Sequence, residues 1–356
     1  MLLFCLSKII FDFNKKIPGF CVIIIGGKKE VFMRIKEAVS SLIQEAIDCH
    51  ASDLFFLIQK GKLVVNFRTI NGIANQANFS INEGKELINY LKFAAQMDIA
   101  EHRRPQVGAF DFEYNKQVYY LRLSSLGDYT DCESLVIRII YRVSEGKYFF
   151  NQQLELLKSL AQKRGLIITS GPTGSGKTTT MYKLAKYVGQ DRMVMTIEDP
   201  VEIHEASFLQ TQVNLEAAIT YPILLEAALR HRPDILIIGE VRNAVTARLA
   251  IDAALSGHLV FATVHAKSTL QTISRLESLN ITKSELVNCL TAVCYQRLLP
   301  TKDGFSCLMD IASGNFLHKS VLKSQRGDYV DWQDNLSKLK QEERISAAIF
   351  EQFKQG

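Results

Sequence analysis

LIITSGPTGSGKTTT, residues 166–180, is an apolar run that breaks into a glycine-rich loop and continues into a helix-forming stretch. Within it, Gly171–Thr178 fits the phosphate-loop pattern G-x-x-x-x-G-K-[ST]. Gly171, Gly174 and Gly176 let the backbone turn tightly and aim its N–H groups at phosphate oxygens. Lys177 reaches the β- and γ-phosphates as a point charge, and the Thr178 hydroxyl is placed to hold Mg²⁺. Pro172, Thr173, Ser175 and Thr179 complete the expected nucleotide-binding set. The flanks agree with the motif. Residues 166–169 read as a buried strand, and residues 177–188 read as a helix with Gly189 as its stop. A strand, a glycine loop and a helix N-terminus together make an anion site.

Outward from this loop the pattern alternates. Strands are expected at 166–170, 193–197, 235–239 and 259–264, and helices at 177–188, 215–230, 244–256 and 268–279. That alternation predicts a mostly parallel, doubly wound α/β sheet, with ligands at the carboxyl ends of its strands. The ends of those strands carry acids and histidines. Ile235–Ile238 ends in Gly239-Glu240, a carboxylate suited to binding Mg²⁺ or polarising the attacking water. Thr196–Pro200 ends a second strand, and Glu198 is the first choice for the base that orients that water, with Asp199 structuring the turn. His258 enters and His265 leaves the apolar strand Leu259–Val264, where they are candidates to sense the γ-phosphate or brace the acids. A strand separates these two histidines, so their spacing does not suit a metal site.

Before the core, residues 33–145 read as a separate α+β domain. Apolar positions at helical spacing run from Ile35 to Ile47, and hairpin signals fall at residues 59–62 and 115–116. Ser80 with Glu83 is a capping box, opening a helix expected to reach about Ile99. Arg122 and Arg138 sit within strands of this domain. They are either exposed-face residues or arginines that reach a neighbouring phosphate. Residues 146–152 are the expected linker, 153–281 the ATPase core and 282–356 a mainly helical C-terminal region. Residues 1–32 are apolar, basic and broken by Pro18-Gly19. They are expected to be a non-native or disordered extension, with Met33 as the start.

Composition narrows the class. The chain has 356 residues, 47% of them hydrophobic and 22% charged, as in soluble globular proteins. No stretch has the length and apolarity of a membrane span. The net charge of +5 is mild, and no basic run with interleaved aromatics appears, so direct nucleic-acid binding is not expected. Cys5, Cys21, Cys49, Cys132, Cys289, Cys294 and Cys307 form no C-x-x-C pair. They are expected to be buried free thiols in a reducing cytoplasm, and no structural zinc is expected.

GPTGSGKT (171–178), TIEDPVEIHE (196–205), LRHRPDILIIGEVR (229–242) and SGHLVFATVHAKST (256–269) resemble the Walker A, Asp box, Walker B and His box of the secretion ATPases, which power type II secretion and type IV pili. HASDLFF (50–56), AEHRRPQVGAFDFEY (100–114) and LRLSSLGDYTDCESLVIRI (121–139) resemble that family's second N-terminal domain. VCYQRLLP (293–300), VHAKS (264–268) and SLGDY (125–129) are similar to the competence branch found in Gram-positive bacteria. Ala266-Lys267 departs from the Thr-Asn of most relatives, and the four-cysteine zinc insert of many of them is missing.

The resemblance implies a RecA-like P-loop ATPase domain that uses ATP and Mg²⁺ and assembles as a homohexamer. It implies phosphate contacts from Arg122 and Arg138, with ATP closed between two domains. It places the protein at the inner face of the cell membrane, beside a polytopic pilus platform protein and, indirectly, pilin-like subunits. The expected activity is ATP hydrolysis that powers a competence pilus for DNA uptake. A retraction or type II secretion ATPase, a DNA-translocating ring and a non-catalytic scaffold remain as alternatives.

Overall fold

The computed structural model describes residues 28–69, 72–141, 146–214, 217–301 and 304–356, with side chains from residue 34 onward. The expected extension over 1–32 therefore falls almost wholly outside the described residues. The chain divides into two compact units that part between Ile140 and Tyr141.

The N-terminal unit runs α1 (Lys28–Asp48), β1 (Asp53–Gln59), β2 (Lys62–Thr69), β3 (Gly72–Ser80), α2 (Ile81–Ala94), β4 (Gln106–Tyr114), β5 (Gln117–Gly127) and β6 (Glu133–Ile140). Its six strands form one sheet in the order β3-β2-β1-β6-β5-β4. Alternation decides its faces: Leu121, Leu123, Ile137 and Ile139 are buried, while Arg122 and Arg138 between them turn outward. The Ser80–Glu83 capping box is formed. The helix it opens stops at Ala94, short of Ile99, because Gln96 takes a left-handed φ of 59° and Met97 N–H returns to Lys92 O. Strand β3 has no counterpart in the sequence reading. Its residues GIANQANFS are polar and mostly exposed on a sheet edge, so no apolar alternation marks them.

The C-terminal unit opens with α3 (Asn151–Leu160), β7 (Gly165–Ser170), α4 (Lys177–Val188), β8 (Val194–Glu198), β9 (Leu209–Gln212) and α5 (Tyr221–His231). It continues with β10 (Ile235–Ile238), α6 (Ala244–Leu255), β11 (Leu259–Val264), α7 (Thr269–Ser278) and α8 (Lys283–Cys289). It closes with β12 (Leu290–Thr301), β13 (Gly304–Ser313), α9 (Gly314–Leu322), α10 (Trp332–Gln341) and α11 (Ala347–Phe353). The sheet order is β13-β12-β7-β11-β10-β8-β9. Every pair is parallel except β12–β13. Strands β7, β8, β10 and β11 are buried along their whole length, as a sheet covered on both faces requires. Period-two alternation divides them between two cores. Ile167, Ile235 and Ile237 pack with α3 and α4, whereas Leu166, Ile168, Leu236 and Ile238 pack with α5 to α9.

The region after 281 is not simply helical. Leu290–Ser313 forms a long hairpin whose first strand pairs with β7, the strand of the phosphate loop. Two apolar runs around Asp303-Gly304 in the sequence carry this signal. Helices α10 and α11 close over the hairpin around fully buried Trp332. The thiols of Cys289, Cys294 and Cys307 are buried, but Cys49 is exposed and Cys132 partly so, because both lie on the surface of the smaller unit. Cys5 and Cys21 lie outside the described residues.

Candidate functional site

Parallel register brings one set of strand ends together. Ser170 pairs with Val264, Ala262 with Ile238, and Ile238 with Ile197. The phosphate loop, His265, Glu240 and Glu198 therefore all leave the same carboxyl edge, on neighbouring strands about 5 Å apart.

The loop is built on glycine backbone. Gly171 has φ +139° and Gly176 has φ +83°, both in the region L side chains rarely adopt. A Cβ on Gly171 would meet Gln296 O at 2.4 Å, so only glycine fits. Gly176 is the N-cap residue of α4, and the first turn of that helix leaves its N–H groups for a ligand. A Cβ on Gly174 would meet nothing within 4 Å, so the tip of the loop has room for an anion. Lys177 Nζ donates to the carbonyls of Gly171 at 3.0 Å and Pro172 at 2.9 Å. Burial lowers its pKa, while the charges of Glu240 and Glu202 oppose that shift. Thr178 Oγ1 donates to Glu202 Oε2 at 2.9 Å.

Glu240 sits between an arginine and a histidine. Arg242 Nε lies 2.8 Å from its Oε2 and His265 Nε2 lies 3.3 Å from its Oε1. Arg242 also reaches Asp199 at 3.3 Å. Thr263 Oγ1 donates to Gly239 O at 2.6 Å, fixing the turn that carries Glu240.

Two sequence expectations change here. Glu198 was the first choice for orienting water, yet it is 2% exposed and accepts a hydrogen bond from Tyr182 Oη at 2.6 Å. Burial raises its pKa, against the pull of the Tyr182 hydrogen bond. Gln210 Nε2 donates to Tyr182 Oη at 2.7 Å, so Glu198 ends a buried chain that ties β8 to α4. The carboxylate beside the loop hydroxyl is Glu202, four residues on. It lies inside the same acidic string, but its position depends on the turn through Pro200, which no periodicity reveals. His258 is the second correction. It enters β11 at the amino end, pairing its backbone carbonyl with Gly165 N, and its Nδ1 lies 3.0 Å from Ala253 O. The length of the strand sets it roughly 20 Å from the loop edge, where it closes the end of α6.

Arg122 and Arg138 lie in the N-terminal unit, directly opposite each other across β5 and β6. Cross-strand pairing continues the row through Asp53 on β1 to Arg68 on β2. Arg138 Nε is 2.9 Å from the buried Asp53 carboxylate, and Arg68 is 3.7 Å from it. Arg138 and Arg68 thus share one aspartate, and Arg122 stands next to Arg138 in the same cross-strand row. Like charges placed opposite each other destabilise a sheet, so this row stores positive charge at a local cost. No group of histidine, cysteine or acidic residues suited to a metal occurs among the described residues.

The sequence profile of the type II/IV secretion system protein family matches residues 28–327. The competence protein ComGA of Streptococcus pneumoniae is 35% identical over 88% of this chain and 96% of its own. ComGA of Bacillus subtilis is 36% identical over 74% and 76%. Among solved structures, the Legionella pneumophila ATPase DotB superposes with a TM-score of 0.70 at 19% identity, covering 89% of this chain and 95% of DotB. The pilus retraction motor PilT, solved with bound ADP, superposes with a TM-score of 0.66 at 23% identity, covering 88% of this chain and 96% of its own. These two likenesses carry the RecA-like fold, a mostly parallel sheet with helices on both faces. With a profile match across most of its length, the chain belongs to the type II/IV secretion system protein family.

Proposed function

We propose that the protein is an ATPase that powers assembly of a competence pilus for DNA uptake. The observation that carries the reading is the phosphate loop with Lys177 and Thr178 at the same strand edge as Glu202 and Glu240. The loop backbone and α4 would hold the triphosphate, and Lys177 would exchange two loop carbonyls for phosphate oxygens. Mg²⁺, when bound, spreads the charge of the phosphate oxygens. Thr178 and Glu240 would hold it, and an oxygen donor set suits that ion. Glu202 would orient the attacking water, with Glu198 holding β8 against the loop helix from beneath. His265 would fix the Glu240 carboxylate.

The two ComGA relatives support the competence assignment. The proposal extends to a hexameric ring at the inner face of the cell membrane, with a membrane-embedded pilus platform as partner. Among the described residues no helix is long and apolar enough to cross a membrane. Arg122 and Arg138 are proposed to add charge at the phosphates, which would make nucleotide state a large differential contact between two conformations. Purified protein should hydrolyse ATP with Mg²⁺, and Lys177→Ala should abolish that activity along with transformation and surface pili in the native host. Normal DNA uptake in the Lys177→Ala strain would remove the motor role.

A further inference from the structure

Gln296 lies on β12, beside the strand of the phosphate loop, and the mechanism above does not use it. It is fully buried. Its Nε2 donates to the backbone carbonyl of Ser175 at 2.7 Å. Its Oε1 has no hydrogen-bond partner. The same residue backs two of the loop glycines. A Cβ on Gly171 would lie 2.4 Å from Gln296 O, and one on Gly176 would lie 3.3 Å from Gln296 Nε2. Packing alone would favour an apolar side chain here, because a buried amide oxygen without a partner loses its hydration and gains nothing. The donor end of the amide is what the position uses.

The effect of that donor follows from peptide geometry. The Ser175–Gly176 bond is trans, since the cis peptide among the described residues is Asp199–Pro200. Across a trans peptide the C=O and N–H point in opposite directions. Holding the Ser175 carbonyl toward buried β12 therefore turns the Gly176 N–H outward, away from the protein interior. Glycine leaves this peptide plane free to rotate, because it tolerates both signs of φ. A donor fixed on β12, which pairs with β13 at Gln296 and with β7 up to the preceding residue, removes that freedom before any ligand arrives.

We infer that Gln296 is a positioning residue: it pins the Ser175 carbonyl and so presents the Gly176 N–H to a phosphate oxygen of a nucleoside diphosphate or triphosphate. The inference rests on the nucleotide-binding reading of the loop. Its role is preorganisation, so it acts on ground state and transition state alike. That behaviour separates it from a residue that takes part in hydrolysis.

The test is a titration of wild type, Gln296→Met and Gln296→Asn with a fluorescent N-methylanthraniloyl ADP and Mg²⁺. Methionine keeps the length and loses the donor, and asparagine keeps the amide but withdraws it by one methylene. Both should bind ADP about tenfold more weakly, the worth of one hydrogen bond to a charged group. Their KM for ATP should rise by a similar factor while kcat stays within about twofold, the signature of lost uniform binding. Their melting midpoints without nucleotide should stay close to wild type, and the stabilisation by ADP should shrink. Wild-type ADP affinity in a folded variant overturns the inference, as does a fall in kcat at unchanged KM. If Gln296→Met does not fold, Gln296→Asn decides the matter in the same titration. A wild-type protein that does not bind ADP removes the nucleotide reading itself, whereas tight binding by wild type and both variants removes Gln296 alone.

Discussion

Glu198→Gln separates a buried structural acid from a catalytic base. The substitution keeps an oxygen for the Tyr182 hydroxyl, which lies 2.6 Å from Glu198 Oε1, and removes the charge. Burial raises the Glu198 pKa above its ordinary value of 4.5. Below that value the carboxyl is protonated in both folded and unfolded chains, so it exacts no penalty. As pH rises past it, the unfolded chain releases the proton while the folded protein keeps it. Stability therefore falls with rising pH until the folded pKa is passed, and is level beyond. A tenfold change in proton affinity between the folded and unfolded chains corresponds to about 1.4 kcal/mol. For a unit of this size one such step moves the melting midpoint by about 3 to 5 °C. Asp310 is also raised by burial, but it is present in both proteins and cancels in the difference. Glu198→Gln should thus match wild type near pH 4.5 and become progressively more stable by comparison toward neutral pH. Calorimetry or urea unfolding across that range measures it. Parallel pH curves for the two proteins would refute the reasoning. The same preparations give the turnover, which should fall less than about tenfold, against the 10²-fold or greater loss typical of removing a general base.

The remaining predictions concern the groups that face ligand. Glu202→Gln should lower ATP turnover by about 10² or more while leaving ADP affinity within a few-fold, measured by steady-state hydrolysis and nucleotide titration. Wild-type turnover would return Glu202 to a partner of Thr178 only. Arg138→Ala should slow turnover by about 10³ with nucleotide binding largely retained. It should also destabilise the N-terminal unit, because Asp53 is buried and would keep only the more distant Arg68 at 3.7 Å as counterion, beside the Ser52 hydroxyl at 2.9 Å. Unchanged turnover would make Arg138 purely the counterion of Asp53.

The phosphate loop and the four buried strands around it were legible because each position answers to a local rule: glycine at left-handed backbone, lysine and threonine at a helix start, unbroken apolar runs in a covered parallel sheet. What the sequence hid depends on relations between distant segments. His258 and His265 look equivalent in the string, and only strand direction shows that they leave opposite edges. Glu198 and Glu202 sit in one acidic cluster, and the turn through Pro200 decides which is buried. The β12–β13 hairpin was missed because its apolar residues are near-continuous, so period alone does not tell strand from buried helix. Polar, exposed β3 offered no pattern at all. Gln296 lay in a string that resembled relatives, yet its proximity to Ser175 comes entirely from the pairing of β12 with β7.

That pairing sets the smallest fragment that can work alone. The motifs end by residue 269, which invites a minimal ATPase cut near Ile281. Such a fragment would strip β7 of one neighbour and leave a row of bare amides and carbonyls along an apolar strand. Exposed edges of that kind recruit strands from other molecules, so the truncated piece would tend to clump rather than turn over. Strand β12 is thus a side wall of the phosphate loop, and shortening the chain as far as Ile281 should damage the loop while its glycines, lysine and threonine are all still present.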